Sequence, residues 1–178
     1  NGNDFEGLIL DNLHPKSLGH GKVLIPNTKD RYLIKKIFLK ISYKLASRMR
    51  KSSYVSNIFL ISIRIKAGWV QKKIKTEKAT CTQSDIFNFC LSYLKMFDSN
   101  IGLYQVQVTA LRPIKRNIQN DFFNQNDTNS SNLDDTLDAI SKKFGEDSIK
   151  PARLLTEEGD SPDVIAPAWR PSGYRKSV

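Results

Sequence analysis

The first sustained hydrophobic pattern begins at Asp30. Ile34, Ile37, Phe38, Ile41, Leu45 and Met49 recur at helical spacing, while Lys35, Lys36, Lys40, Lys44 and Arg48 occupy the other side. Asn27, Thr28 or Asp30 can cap the start, and a helix of about 20 residues is expected. At Asn57 the period drops to two. Phe59, Ile61, Ile63 and Ile65 alternate with Leu60, Ser62, Arg64 and Lys66 as far as an Ala67-Gly68 turn signal, which predicts a half-buried strand. From Trp69 to Ala79 the chain is polar and extended in character, with Lys72, Lys73, Lys75 and Lys78 around Ile74, the expected hairpin partner. Helical spacing returns in Ile86, Phe89, Cys90, Tyr93, Leu94 and Phe97, behind the possible caps Thr82, Ser84 and Asp85. Ser99-Asn100 and Gly102 end that helix. Leu103 to Leu111 then sets Tyr104, Val106 and Val108 against Gln105, Gln107 and Thr109, a last strand closed by Pro113. Upstream of everything, Lys22-Val23-Leu24-Ile25 reads as a short strand stopped by Pro26-Asn27.

The order strand, helix, strand, strand, helix, strand predicts an α+β fold over residues 22–116. It is a ferredoxin-like split βαβ (βαββαβ), a four-stranded antiparallel sheet covered by two helices on one face. Residues 1–21, punctuated by Gly2, Gly7, Pro15, Gly19 and Gly21, read as a linker. Residues 117–132 are dominated by Asn with Gln, Ser, Thr and Asp, and are expected to be disordered. In the tail, 133–178, Leu133, Leu137, Ile140 and Phe144 predict a short amphipathic helix ended by Gly145. The Pro- and Gly-containing remainder is expected to be loosely held. No internal repeat is evident. No apolar run approaches the roughly 18 residues of a membrane span.

Charge sharpens this picture. The 178 residues carry a formal net charge of +10, but residues 1–117 hold 21 Lys+Arg against 7 Asp+Glu, and residues 118–178 hold 7 against 11. A basic body with an acidic polar appendage points to a polyanionic partner, the alternative being a domain that is merely Lys-rich. With the helices on one side, the other sheet face is bare, and its expected residues include Arg64, Lys66 and hairpin lysines. Gln71-Lys72-Lys73-Ile74-Lys75 places cations along an extended segment at about 3.3 Å per residue. Alternate residues can then meet successive phosphates, contacts that position without reading sequence. An edge strand guarded by lysines against aggregation is the plainer reading. Trp69 and Tyr54 are candidates for base stacking if the sheet binds single strands, with packing at the sheet edge as the alternative. The paired aromatics of an RNA-recognition sheet are absent.

The residues show no catalytic constellation. The acids of the basic body are scattered, without the close pair that two-metal phosphoryl transfer needs. His14 and His20 have no Cys or carboxylate at ligand spacing, and Gly19-His20-Gly21 lacks the Lys-Ser/Thr of a phosphate loop. Cys81 and Cys90 make neither a disulfide framework nor a metal cluster, and no His stands near Cys81 in sequence. No cofactor is expected in this segment. Gln119-Asn120-Asp121-Phe122-Phe123 is different: a Gln three residues before an apolar pair can put a polar anchor and two hydrophobic knobs into a groove. The start, Asn1-Gly2-Asn3-Asp4, has no Met and no signal-peptide character. The expectation is a piece of a longer protein from a reducing cytoplasm.

Several of these pieces resemble one family. Pro15-Lys16-Ser17-Leu18-Gly19-His20 followed by Val23-Leu24-Pro26 resembles the segment entering the little finger domain of Y-family (DinB/UmuC-like) DNA polymerases, and Asn1 to Phe5 looks like the end of their thumb. The split βαβ order matches that domain, and Trp69 with Asp85 fits a bacterial subgroup. Gln105-Val106-Gln107-Val108-Thr109 resembles the last strand, and Leu137-Asp138-Ala139-Ile140 to Lys143-Phe144-Gly145 resembles the small helix that follows. The third strand departs from the pattern, being richer in Lys and poorer in Thr-Arg-Ser.

The resemblance implies a cytoplasmic, nucleoid-associated, monomeric DNA-holding module of a lesion-bypass polymerase of the SOS response. It would grip the template–primer duplex through the sheet in the major groove. Lys16, Ser17, Arg64, Lys66, Lys72, Lys73 and Lys75 are then the DNA-binding residues. Gln119, Asp121, Phe122 and Phe123 are the sliding-clamp-binding ones. The nucleotidyltransferase site, with its expected Mg, belongs to palm and fingers that this chain lacks. Two other classes remain open on the residues: an RNA-binding ferredoxin-like domain, and a protein-interaction module whose basic face docks an acidic partner.

Overall fold

A computed structural model of the chain describes residues 14–116, 125–145, 148–149 and 151–154. Its elements are β1 (Ser17–Thr28), α1 (Arg31–Lys51), β2 (Tyr54–Ile65), β3 (Gly68–Thr80), α2 (Gln83–Leu94), β4 (Leu103–Leu111), β5 (Ile114–Lys115) and α3 (Gln125–Phe144), with a 3-10 turn at Ala152–Leu154. The four long strands run antiparallel in the order β1-β4-β2-β3, and β5 adds a short pairing to the start of β2. Each βαβ unit is split by one strand: β4 lies between β1 and β2, and β2 lies between β3 and β4. This is the α+β split βαβ fold that the hydrophobic periods predict.

Local chemistry fixes the helix ends. The Asp30 carboxylate accepts from the Tyr32 and Leu33 backbone N–H groups at 2.8 and 3.2 Å, satisfying donors that the first turn of α1 leaves unpaired. Arg48, Arg50 and Lys51 sit in its last turn, where the negative end of the helix dipole favours cations. For α2 the cap is Thr82, which accepts from the Asp85 N–H. Asp85 in turn accepts from the Thr80 hydroxyl at 2.6 Å, joining the end of β3 to the start of the helix. Gly145 closes α3 with φ 102°, its N–H donating to the Ser141 carbonyl.

The core lies between one sheet face and the two helices. Phe59, Ile61 and Ile63 of β2, Val106, Val108 and Ala110 of β4, and Leu18 of β1 meet Ile34, Phe38, Ile41, Leu45 and Met49 of α1 and Ile86 and Cys90 of α2. Each large apolar side chain enclosed there contributes about 1.5–3 kcal/mol. Where the helices touch, the Ser42 hydroxyl lies 3.7 Å from Cys90 Sγ, and burial pushes the Cys90 thiol up to about 12.

Three boundaries differ from the periodicity. β1 starts at Ser17, so residues 17–21, expected in the linker, pair with β4 from Ser17↔Leu111 onward. Two glycines and the enclosed Lys22 hide the alternation there. α3 begins at Gln125 rather than Leu133, so part of the Asn-rich stretch is helical. β5 follows Pro113, where the sheet was expected to end. The tail also folds back: Arg50 Nε and Nη2 donate to Asp138 Oδ2 and Oδ1 at 2.6 and 3.0 Å, and the Tyr43 hydroxyl donates to the Ile149 carbonyl. α3 and the segment after it are thereby fastened to the flank of α1.

Candidate nucleic-acid interface

Strand parity sorts every β side chain onto the helix-covered face or the open one. On the open face the register lines up rows across the sheet. Val23, Gln105, Arg64 and Trp69 form one row, Gly21, Gln107, Ser62 and Gln71 the next, and Gly19, Thr109, Leu60 and Lys73 a third. Beyond them Ser17 faces Leu111, and Ile58 faces Lys75. No carboxylate stands among these residues; the next β3 residue of the same parity, exposed Glu77, lies past Lys75. Cations occupy the β2–β3 side, with Lys66 in the hairpin turn next to Arg64.

The predicted DNA-binding residues are therefore divided. Arg64, Lys73 and Lys75 share the open face and are exposed. Lys72 does not join them: it pairs with Ile61, whose side chain is in the core, and its Nζ reaches Met96 Sδ at 3.2 Å beyond the end of α2. The physical reason is the period of two, which sends adjacent lysines to opposite faces. Lys16 and Ser17 are exposed at the β1 edge, three strand spacings or about 14 Å from β3. Arg112, which no pattern singled out, is exposed beside them. It turns the chain out of β4 with φ 48°, and its N–H donates to the Lys16 carbonyl. The clamp-motif residues Gln119, Asp121, Phe122 and Phe123 lie outside the described residues.

Between the two margins the floor carries no charge. Gly19 and Gly21 keep it low on the β1 side. A Cβ on Gly19 would stand 2.9 Å from Thr109 Oγ1, and one on Gly21 would stand 3.1 Å from the Val106 carbonyl oxygen and 3.2 Å from Gln107 Cβ. The glycines thus admit the β4 side chains lying over β1, and Arg48 of α1 donates to the Gly19 carbonyl from beneath.

Of the two stacking candidates, Tyr54 is 6% exposed. Its hydroxyl meets His14 Nδ1 at 3.1 Å, and Lys115 Nζ lies 4.3 Å from its ring centroid. Trp69, 44% exposed, stays on the open face. It borders an open-topped hollow of about 200 Å³ lined by Leu60, Ser62, Trp69, Gln71 and Gln107. Nothing in the sequence pattern announced this hollow, which exists only once β2, β3 and β4 are in register.

Among the described residues no group of three or more His, Cys, Asp or Glu can hold a metal ion, and no helix is long and apolar enough to cross a membrane. Cys81 and Cys90 are both buried.

No protein-family model matches the chain, and no curated protein does. Among solved structures it is similar to the insertion ternary complex of Dbh DNA polymerase, at 15% identity and TM-score 0.47, covering 57% of this chain and 29% of that one. It is similar to the little finger domain of PolIV in complex with the beta-clamp processivity factor, at 9% identity and TM-score 0.46, covering 59% of this chain and 98% of that one. DinB from Sulfolobus solfataricus matches at 15% identity and TM-score 0.45, over 57% of this chain and 29% of its own. The chain therefore spans less than a third of the length of those two polymerases.

Proposed function

We propose that this chain is the DNA-holding little finger region of a lesion-bypass DNA polymerase, and that its open sheet face lies against duplex phosphates. The observation that carries this reading is the composition of the paired rows of that face: Arg64, Lys73 and Lys75 on one side, Gly, Ser, Thr and Gln making up most of the floor with Leu60 among them, and no carboxylate within those rows. Such a cationic surface attracts a polyanion. Lys66 extends the cationic side past the hairpin, and Lys16, Ser17 and Arg112 serve the opposite margin. The residue pattern of the sequence, rather than any single contact, supports the polymerase class.

Tethering is the second part of the proposal. Phe122 and Phe123 fill a sliding-clamp pocket, with Gln119 and Asp121 as polar anchors, and the preceding sheet holds template–primer DNA. Polymerase chemistry and its Mg belong to other parts of the parent enzyme.

Each part has its own test. Each phosphate contact contributes about 0.9 to the slope of log K against log salt, so Arg64→Gln/Lys73→Gln/Lys75→Gln lowers the slope by about 2.7. Lys72→Gln leaves it within about 0.5. An unchanged slope in the triple variant would remove the face from the interface. A preference for A-form RNA over DNA duplex would move the chain to the RNA-binding class. For the tether, micromolar binding to a bacterial sliding clamp is expected and is lost in Phe122→Ala/Phe123→Ala. No binding by either protein refutes the tether alone.

A further inference from the structure

The hollow beside Trp69 is more specific than a phosphate-binding surface requires. We infer that it receives a single unpaired nucleobase, an inference that rests on the nucleic-acid reading of this face. Its floor is Ser62, 3% exposed, and its sides are Gln71 and Gln107, which flank Ser62 in one row of the sheet. One end is the Trp69 indole and the other is Leu60. At about 200 Å³ it falls below the roughly 300–1,000 Å³ of sites for drug-sized molecules, which leaves room for one planar ring system.

The lining suits a base better than an apolar side chain. Trp69 offers a large aromatic surface that stays in solvent, and a base can stack on it regardless of identity. Each primary amide carries both donors and an acceptor, so two of them on opposite sides match the edge of any base. The Gln107 amide nitrogen donates to Thr109 Oγ1 at 3.2 Å, which holds that wall in place. Arg64 shares the row of Trp69 and Lys73 the row of Leu60, one cation at each end of the hollow, so the phosphates 5′ and 3′ of the docked base each meet a cation. A fully paired duplex presents no free base and uses only the cations. A single strand, or a duplex with one extrahelical nucleotide, uses both.

The test uses the full chain with Trp169→Phe, which leaves Trp69 as the one tryptophan reporter. The probes are a paired 15-mer duplex, the same duplex carrying one unpaired thymine, and oligo(dT) at equal phosphate count. Trp69 fluorescence is expected to be quenched by at least one probe with an unpaired base, which binds about tenfold more tightly than the paired duplex. Quenching by oligo(dT) alone makes single strands the source; quenching by the unpaired-thymine duplex makes it an extrahelical base. In the native background, Trp69→Ala abolishes the preference and leaves paired-duplex affinity within about twofold, and Trp69→Phe keeps part of it. Equal affinity for all three probes without quenching overturns the inference and leaves the phosphate-binding reading standing. Failure of every probe to bind at low salt overturns both.

Discussion

Asp138 is where the last helix is held, and replacing it with Ala tests how the tail is attached. Its carboxylate takes two hydrogen bonds from Arg50, whose side chain is 5% exposed against 24% for Asp138. Removing one partner of a buried ion pair costs about 3–5 kcal/mol, because the remaining charge is left without compensation. Partial exposure of Asp138 screens the pair, which brings the expected cost to about 2–3 kcal/mol. The chain has a cheaper escape than global unfolding. α3 can leave α1 and let the Arg50 guanidinium reach water, so the visible loss is limited to the docking free energy of α3. The signature is therefore local. In Asp138→Ala, hydrogen exchange accelerates across residues 133–144 and 151–154, while β2 and β4 keep their protection. Arg50→Met/Asp138→Leu, which replaces the pair by apolar contact, recovers much of the protection. Wild-type exchange rates in α3 of Asp138→Ala would refute the assignment of this pair as its anchor.

Three further outcomes are expected. Cys90 is protonated in folded and unfolded chains below pH about 9; between 9 and 12 only the unfolded chain ionises, so stability falls as pH rises, by about 1.4 kcal/mol per unit. Urea melts across that window should show a shallower alkaline decline in Cys90→Ala than in wild type, and parallel curves would contradict the cause. Gly19→Ala should cost about 1–3 kcal/mol because its Cβ meets Thr109 Oγ1, and Gly19→Ala/Thr109→Ala should return part of it; additive losses in denaturation would mean the two do not touch. Thr82→Ala should lower stability by about 1 kcal/mol through loss of the α2 cap, a change of nearly zero in a thermal melt arguing against that role.

Much of the fold was legible because its elements bury one face at a regular period. Leu103–Leu111 is the strand that the alternation predicts, and α1 and α2 follow their apolar stripes and caps. β1 was half hidden because two of its open-face positions are glycines and one core-side position is a lysine, so neither face reads as a stripe. Lys72 was misplaced for another reason. A run of lysines looks like one patch until parity is applied, and Val70 and Ile74, packed against the core at the same parity, held the clue. The Arg50–Asp138 pair and the hollow at Trp69 had no local signal at all, since each joins residues far apart in the chain.

The central position of β4 also governs how the molecule is made. β1 and β2 are both its neighbours and not each other's, so neither is fully paired until Leu103–Leu111 exists. At about 5–20 residues per second of synthesis, β1 waits several seconds for β4, with α1 already available to shield it. The β2–β3 hairpin is local in sequence and can close within microseconds, although it gains a lasting partner only when β4 arrives. Insertion of β4 between two waiting strands is then the late, non-local step, and it is the step that creates the open face: before it the cations of β3 exist, but the uncharged floor between them and β1 does not.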